Sequence, residues 1–166
     1  MTTKLKNVIA KIHNGVYNNG SLNSVINRGG CGVFAYYFIK QCEKYNIKGI
    51  SLTYLDFEYE VIPPETRVYN ITNCKNNWGL NISAQHIMVT INNKFLVDAG
   101  YIGTKKPNNY SHLKKTNIVV PAKLIGRTLK IRAQWNSWYE PEEYNPVIRR
   151  IINQAFKKEY GALVTK

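Results

Sequence analysis

Two apolar runs meet at a pair of asparagines: Ile87-Met88-Val89-Thr90-Ile91, then Asn92-Asn93, then Lys94-Phe95-Leu96-Val97. Asparagine tolerates the left-handed backbone of tight reversals, so this segment predicts a β-hairpin. A hairpin commits the chain to an antiparallel sheet, and its register decides which side chains share a face. A plain two-residue turn would set His86 opposite Ala99 and Asp98 opposite Ile87, so that His86 and Asp98 point to opposite faces. Only an odd-length loop or a bulge brings them to one face.

The second signal is a helix from about Cys31 to Tyr45, with Gly29-Gly30 expected to break the chain just ahead of it. Its first half (Val33, Phe34, Tyr36, Tyr37, Phe38, Ile39) is apolar nearly all round, which predicts burial at the domain centre. Its last turns (Lys40, Gln41, Glu43, Lys44) are polar. Leu5, Val8, Ile9 and Ile12 predict a short amphipathic helix over residues 4–13, followed by a loop from Gly15 to Ser24. Leu55, Phe57, Tyr59 and Val61 alternate with Asp56, Glu58 and Glu60, a half-buried strand ended by Pro63-Pro64. Shorter strands are expected at Arg67–Ile71, Asn117–Val120 and Thr128–Trp135. Loops are expected at Asn73–Asn81, which carries Trp78, and at Gly103–Ser111. Asn145 as N-cap and Pro146 at the first position open a last helix. Its stripe is Ile148, Ile151, Ile152 and Ala155, with Phe156 at the edge and Arg149, Arg150, Asn153, Lys157 and Lys158 outward. No internal repeat or linker appears. The 166 residues predict one α+β domain, 1–166: a helix packed on an antiparallel β-sheet, with a C-terminal helix.

The helix and the hairpin carry a chemical pattern. Cys31 at a helix start meets unpaired backbone N–H groups and the positive end of the helix dipole, both of which favour thiolate. His86 opens a strand and can form a thiolate–imidazolium pair with it. Asp98 ends the next strand and can hold the other ring nitrogen. Cysteine, histidine and aspartate in this order suit a nucleophile with an oriented base. The Cys31 N–H would donate to an oxyanion, with Gln85, Asn27 and Asn23, in that order, as candidates for the second donor. Taken singly, each residue has a plainer reading: Cys31 as a buried inert thiol, His86 as a satisfied structural side chain. Cys42 and Cys74 read as core or loop thiols, His13 and His112 as surface residues, and Trp135 and Trp138 as core and rim.

Cys31 and Cys42 are eleven residues apart, about 16 Å along a helix, too far to bridge. Three cysteines without paired spacing argue against a disulfide framework and for a reducing compartment. No Cys-x-x-Cys motif suggests zinc. Apolar residues make up 44% and charged residues 20%, a globular mix rather than a disordered one. The first residues lack the apolar core of a secretory signal, and no run is long enough to span a bilayer. The net charge of +13 has two readings: a polyanionic partner such as nucleic acid or an acidic protein surface, or the Asn-, Lys-, Ile- and Tyr-rich composition of an AT-rich genome.

Arg28-Gly29-Gly30-Cys31 and Val97-Asp98-Ala99-Gly100-Tyr101 bring in a resemblance. The chain resembles the papain-like and transglutaminase-like superfamily, in which a cysteine on a helix packs on an antiparallel sheet whose adjacent strands carry His and Asp. The two motifs look like the Arg-Gly-Gly and Val-Asp-x-Gly-aromatic pieces of arylamine N-acetyltransferases. Those enzymes have a residue between Gly-Gly and Cys, and longer chains. The resemblance implies a papain-like core and catalytic roles for Cys31, His86 and Asp98.

Two functions follow as expectations. The first is a thiol-dependent hydrolase or acyltransferase, most like a cysteine peptidase, acting on a peptide, amide or ester through an acyl-enzyme and without cofactor or metal. Loops 14–26, 72–84 and 102–116 would set its substrate. The second is a non-enzymatic basic virus or phage component, or a nucleic-acid-binding protein, on the same scaffold. There Lys130 and Arg132 on one strand face would join Arg149, Arg150, Lys157 and Lys158 on phosphates. The expected compartment is the cytoplasm, or the host cytoplasm or virion for a viral protein, with no membrane partner.

Overall fold

The structure, a computed structural model, describes residues 1–20, 22, 26, 30–56, 86–112, 114–118 and 141–161. Helix α1 (Thr3–Tyr17) starts where the Thr2 side chain accepts the Leu5 N–H at 3.3 Å, a side-chain N-cap. Leu5, Val8, Ile9, Ile12 and Val16 form its buried face. The helix runs four residues past the expected end and takes in Gly15. A Cβ at Gly15 would come within 2.8 Å of Ile151 on the last helix. Glycine thus permits the close approach of two helices, and burial of Val16 beyond it offsets its cost of about 1 kcal/mol in a helix.

Helix α2 (Cys31–Lys44) matches the expected span to one residue and is buried from Cys31 through Ala35 and again at Phe38, Ile39 and Cys42. Gly30 does not break the chain. Its dihedrals are right-handed helical (φ −82°, ψ −2°), and Gly30 lies in a wide π-type turn directly ahead of α2. The helix ends in a Schellman motif: Asn46 takes the left-handed position (φ 55°), Ile47 N–H donates to Cys42 O at 2.8 Å, and Asn46 N–H donates to Glu43 O at 3.0 Å. Gly49 (φ +73°) then turns the chain into the sheet.

The sheet contains β1 (Ile50–Asp56), β2 (His86–Ile91), β3 (Phe95–Val97), β4 (Ile102–Gly103) and β5 (Lys114–Ile118), in the order β4-β3-β2-β1-β5 with every pair antiparallel. Strand β1 begins five residues before the expected alternation. Ser51, Leu52, Thr53 and Leu55 are all buried, so a strand covered on both faces shows no clean alternation there. Positions 57–61, the 67–71 and 128–135 strands and the 73–81 loop lie outside the described residues. Strand β5 starts three residues before the expected 117.

The hairpin decides the faces. Ile91 accepts the Lys94 N–H at 3.1 Å yet pairs with Phe95. Lys94 is therefore an extra residue, and the connection is the three-residue Asn92-Asn93-Lys94, with both asparagines left-handed (φ 51° and 52°). This is the odd-length connection that the His86–Asp98 geometry required. Register then divides the sheet. Leu52, Ile87, Val89, Ile91 and Val97 face the helices and join one core with α1, α2 and the last helix. Ser51, Thr53, Leu55, His86, Met88, Thr90 and Leu96 share the other face, where Leu55, Met88 and Leu96 pack with Tyr101 and Tyr110.

Helix α3 (Pro141–Tyr160) begins five residues before the expected Pro146, which lies inside it. Asn145 is thus not the cap. Pro141 meets the preference for proline at the first position, and Glu142-Glu143 follow it where acidic residues suit the helix dipole. Phe156 is fully buried and stacks on Tyr45 and edge-on to Phe38, so it forms the centre of the stripe, while Ile151 is only half-buried. Among the described residues no helix is long and apolar enough to cross a membrane.

Asn92 N–H donates to Gly49 O at 2.6 Å, and a Cβ at Gly49 would overlap Asn92 Oδ1. The Gly49→Ala protein is expected to lose at least about 1–2 kcal/mol of stability from the left-handed backbone alone. A urea midpoint equal to that of the wild type would contradict this account of the hairpin.

Candidate functional site

Cys31, His86 and Asp98 converge at the end of β3. That strand pairs only as far as Val97↔Val89. Backbone groups alternate sides along a strand, and Ile91 O points toward β3, so the Ile87 N–H points the same way, past the strand's end. It meets the Cys31 sulfur there, joined by the Gly32 N–H from the first turn of α2. The helix of Cys31 and the strand of His86 thus meet through one backbone donor, the Ile87 N–H.

His86 is fully buried, and its Nε2 lies 2.9 Å from Asp98 Oδ2. Among the described residues no nitrogen or oxygen bonds its Nδ1. The Cys31 thiol is the second group that couples to the ring. The thiol and the ring couple first by hydrogen bonding and then by charge.

Burial alone would push the Cys31 thiol up. The hydrogen-bonding and positive charge of His86, with the Ile87 and Gly32 N–H groups, outweigh it and hold the thiol below its ordinary pKa. Burial would likewise push His86 down, but hydrogen bonds to Asp98 and Cys31, then the charges of Cys31 and Asp98, push it up to about 9. The two groups titrate as a pair, and their coupling favours thiolate and imidazolium together. Cys42, eleven residues along the same helix, is pushed up by burial and by Glu43. The two are free thiols, and Cys42 is the core thiol expected.

Asp98 is nearly buried, at 4% exposure. Its Oδ1 accepts the Gly100 N–H at 2.9 Å, an Asx turn. Its own N–H donates to Tyr101 O at 3.0 Å.

Two side chains that were not among the expected site residues reach this site. Tyr110, in a 3-10 turn (Asn108–Tyr110) of the Gly103–Ser111 loop, stacks on His86 with ring centroids 4.4 Å apart and planes within 13°. Burial and the negative charges of Cys31 and Asp98 push its phenol up. A single aromatic at the end of a polar loop is the sequence signal for it. His13 is not a surface residue: it is half-buried, with Nε2 3.0 Å from the Asp98 carbonyl oxygen. It lies four residues after Ile9 and three before Val16, on the apolar side of α1, and that spacing was its signal. His112 is exposed, as expected.

The oxyanion candidates Gln85, Asn27 and Asn23 lie outside the described residues, as do Lys130, Arg132, Cys74, Trp78, Trp135 and Trp138. Arg149, Arg150, Lys157 and Lys158 are exposed on α3. Among the described residues no group of three or more His, Cys, Asp or Glu side chains could hold a metal ion. Comparison with protein-family models, curated proteins and solved structures finds no match.

The electrostatics fix the pH behaviour. With the thiol lowered, Cys31 should alkylate with iodoacetamide below the ordinary thiol range and stay reactive as pH rises. Any step needing the imidazolium proton should fade near pH 9. Peptide mapping after alkylation near neutrality should find Cys31 modified and Cys42 untouched; the reverse pattern would refute the ion pair. The Tyr110 stack predicts a solvent-protected downfield imidazolium N–H resonance in the wild type and Tyr110→Phe, lost to exchange in Tyr110→Ala.

Proposed function

We propose that the protein is a thiol-dependent hydrolase or acyltransferase of papain-like or transglutaminase-like type, acting on an amide or ester through an acyl-enzyme on Cys31. The observation that carries this reading is the convergence of Cys31, His86 and Asp98 in a buried charge chain that favours thiolate and imidazolium together. In the first step the Cys31 thiolate attacks the carbonyl carbon. The bond to the leaving group breaks as His86 gives that group its Nδ1 proton. In the second, neutral His86 takes a proton from water or another acceptor, which attacks the thioester and frees the thiolate. Asp98 on Nε2 keeps the ring turned so that Nδ1 serves both transfers. Hydrolysis of a peptide-like amide is the preferred version, in a reducing compartment and without a cofactor.

A thiol-directed activity probe should label the wild type at Cys31. Cys31→Ala should abolish labelling. Asp98→Asn keeps the shape and removes the charge, so the apparent Cys31 midpoint should rise by about one unit or more. Labelling that persists in Cys31→Ala, or an unmoved midpoint in Asp98→Asn, would count against the triad.

The exposed Arg149, Arg150, Lys157 and Lys158 favour a second reading, a basic binding surface for nucleic acid or an acidic protein. It requires strongly salt-dependent binding of DNA or RNA that Cys31→Ala leaves intact. Filter binding without salt dependence would remove it.

A further inference from the structure

We propose that His13 is a positioning residue of the site: from helix α1 it holds the main chain of Asp98, and through Asp98 it sets the orientation of His86. This rests on the thiol-site reading above.

Asp98 directly follows Val97, the last paired residue of β3, so no ladder bond on that strand fixes it. Its carboxylate faces two partners, His86 Nε2 and the Gly100 N–H. Its own N–H closes on Tyr101 O. The bonds to Gly100 and Tyr101 lie within residues 98–101. They fix the carboxylate relative to the turn but travel with it. His86 is the group to be oriented and cannot serve as its own reference. Among the described contacts of the Asp98 backbone, the tie to His13 Nε2 at 3.0 Å reaches out of the turn, across 85 residues of sequence.

The chemistry of that tie is one-directional. A carbonyl only accepts, so His13 Nε2 must carry the hydrogen. The residue sits on a helix whose Leu5, Ile9, Ile12 and Val16 are locked in the core. The helix is held close to α3 where Gly15 faces Ile151. His13 therefore extends a rigid support to the turn. Hydrogen bonds weaken steeply off line, so a turn that loses this support aims its carboxylate less well at Nε2. The imidazolium is then less favoured, and the Cys31 thiolate loses part of its partner charge.

The test compares His13→Ala, which removes the donor, with His13→Gln, whose amide N–H can replace it. The readout is the pH profile of Cys31 alkylation by iodoacetamide, with urea unfolding measured alongside. The expected result is a midpoint displaced upward in His13→Ala, with alkylation about three- to tenfold slower below the midpoint, and a near-wild-type profile in His13→Gln. A staple with no part in positioning would lower the urea midpoint of His13→Ala and leave its profile alone; that result overturns the inference. Should His13→Ala not fold, histidine NMR of the wild type decides. A protonated Nε2 shielded from solvent supports the tie, and a bare Nε2 overturns it. A wild-type Cys31 midpoint in the ordinary thiol range defeats the thiol-site reading instead.

Discussion

One extra residue in a hairpin governs the arrangement. Because Lys94 is added between Ile91 and Phe95, the register of β3 against β2 shifts by one position. In a sheet, that shift moves every side chain of a strand to the other face. Without it, Asp98 would point into the helix-facing core and His86 away from it. With it, the pair lies 2.9 Å apart, while Val97 and Ala99 fill the core. Two left-handed asparagines make the turn, and the Asn92 N–H anchors it to Gly49 O. Gly49 ends the link from α2 into β1, so one short connection references both the helix of Cys31 and the hairpin of His86 and Asp98.

That shared reference matters because the site places charge where water is scarce. Cys31, His86 and Asp98 are all buried, and a buried charge is costly unless it is paired and hydrogen-bonded. Here the cost is met in sequence. Two backbone N–H groups face the sulfur, the His86 ring couples to both the thiol and the Asp98 carboxylate, and the carboxylate divides its oxygens between His86 and Gly100. The surrounding face suits this task. Ser51, Thr53 and Thr90 are buried on it, and Thr53 and Thr90 bond each other there. The opposite face carries Leu52, Val89, Ile91 and Val97 against the helices. Leu55, Met88 and Leu96 pack on the same face as those polar groups, so that face too contributes a small apolar cluster.

Legibility followed the range of the interaction. The hairpin, the helix of Cys31 and the need for an odd-length turn are local, and short-range pattern carried them. Helix α1 outran its expected end because Gly15 reads as a breaker locally but serves a contact with Ile151, 136 positions away in the chain. Pro146 reads as a start, yet Pro141 offers the same chemistry earlier, and pattern alone does not rank two prolines. The start of β1 was missed because burial on both faces erases alternation. Tyr110 and His13 join the site through tertiary placement. Each left a faint trace, an aromatic in a polar loop and a histidine on an apolar stripe, but neither trace names a partner.

The distribution of cover over the site constrains any acyl transfer performed there. His86 is closed on one ring face by Tyr110 and at Nε2 by Asp98. Among the described residues, Nδ1 is the ring nitrogen left without a bonded partner. Cys31 keeps the largest exposure of the three, 8% against 0% for His86 and 4% for Asp98. In the proposed acyl transfer a carbonyl carbon would meet the sulfur first, and its leaving group would have to lie toward the imidazole to be protonated. Attack and protonation are confined to one side of the ring, which is the geometric condition for a single group to act as acid in one half-reaction and base in the next. The Tyr110 ring enforces that condition from a loop rather than from the sheet. Substrate-dependent movement of that loop would change access to His86 without disturbing the hairpin register that holds the pair together.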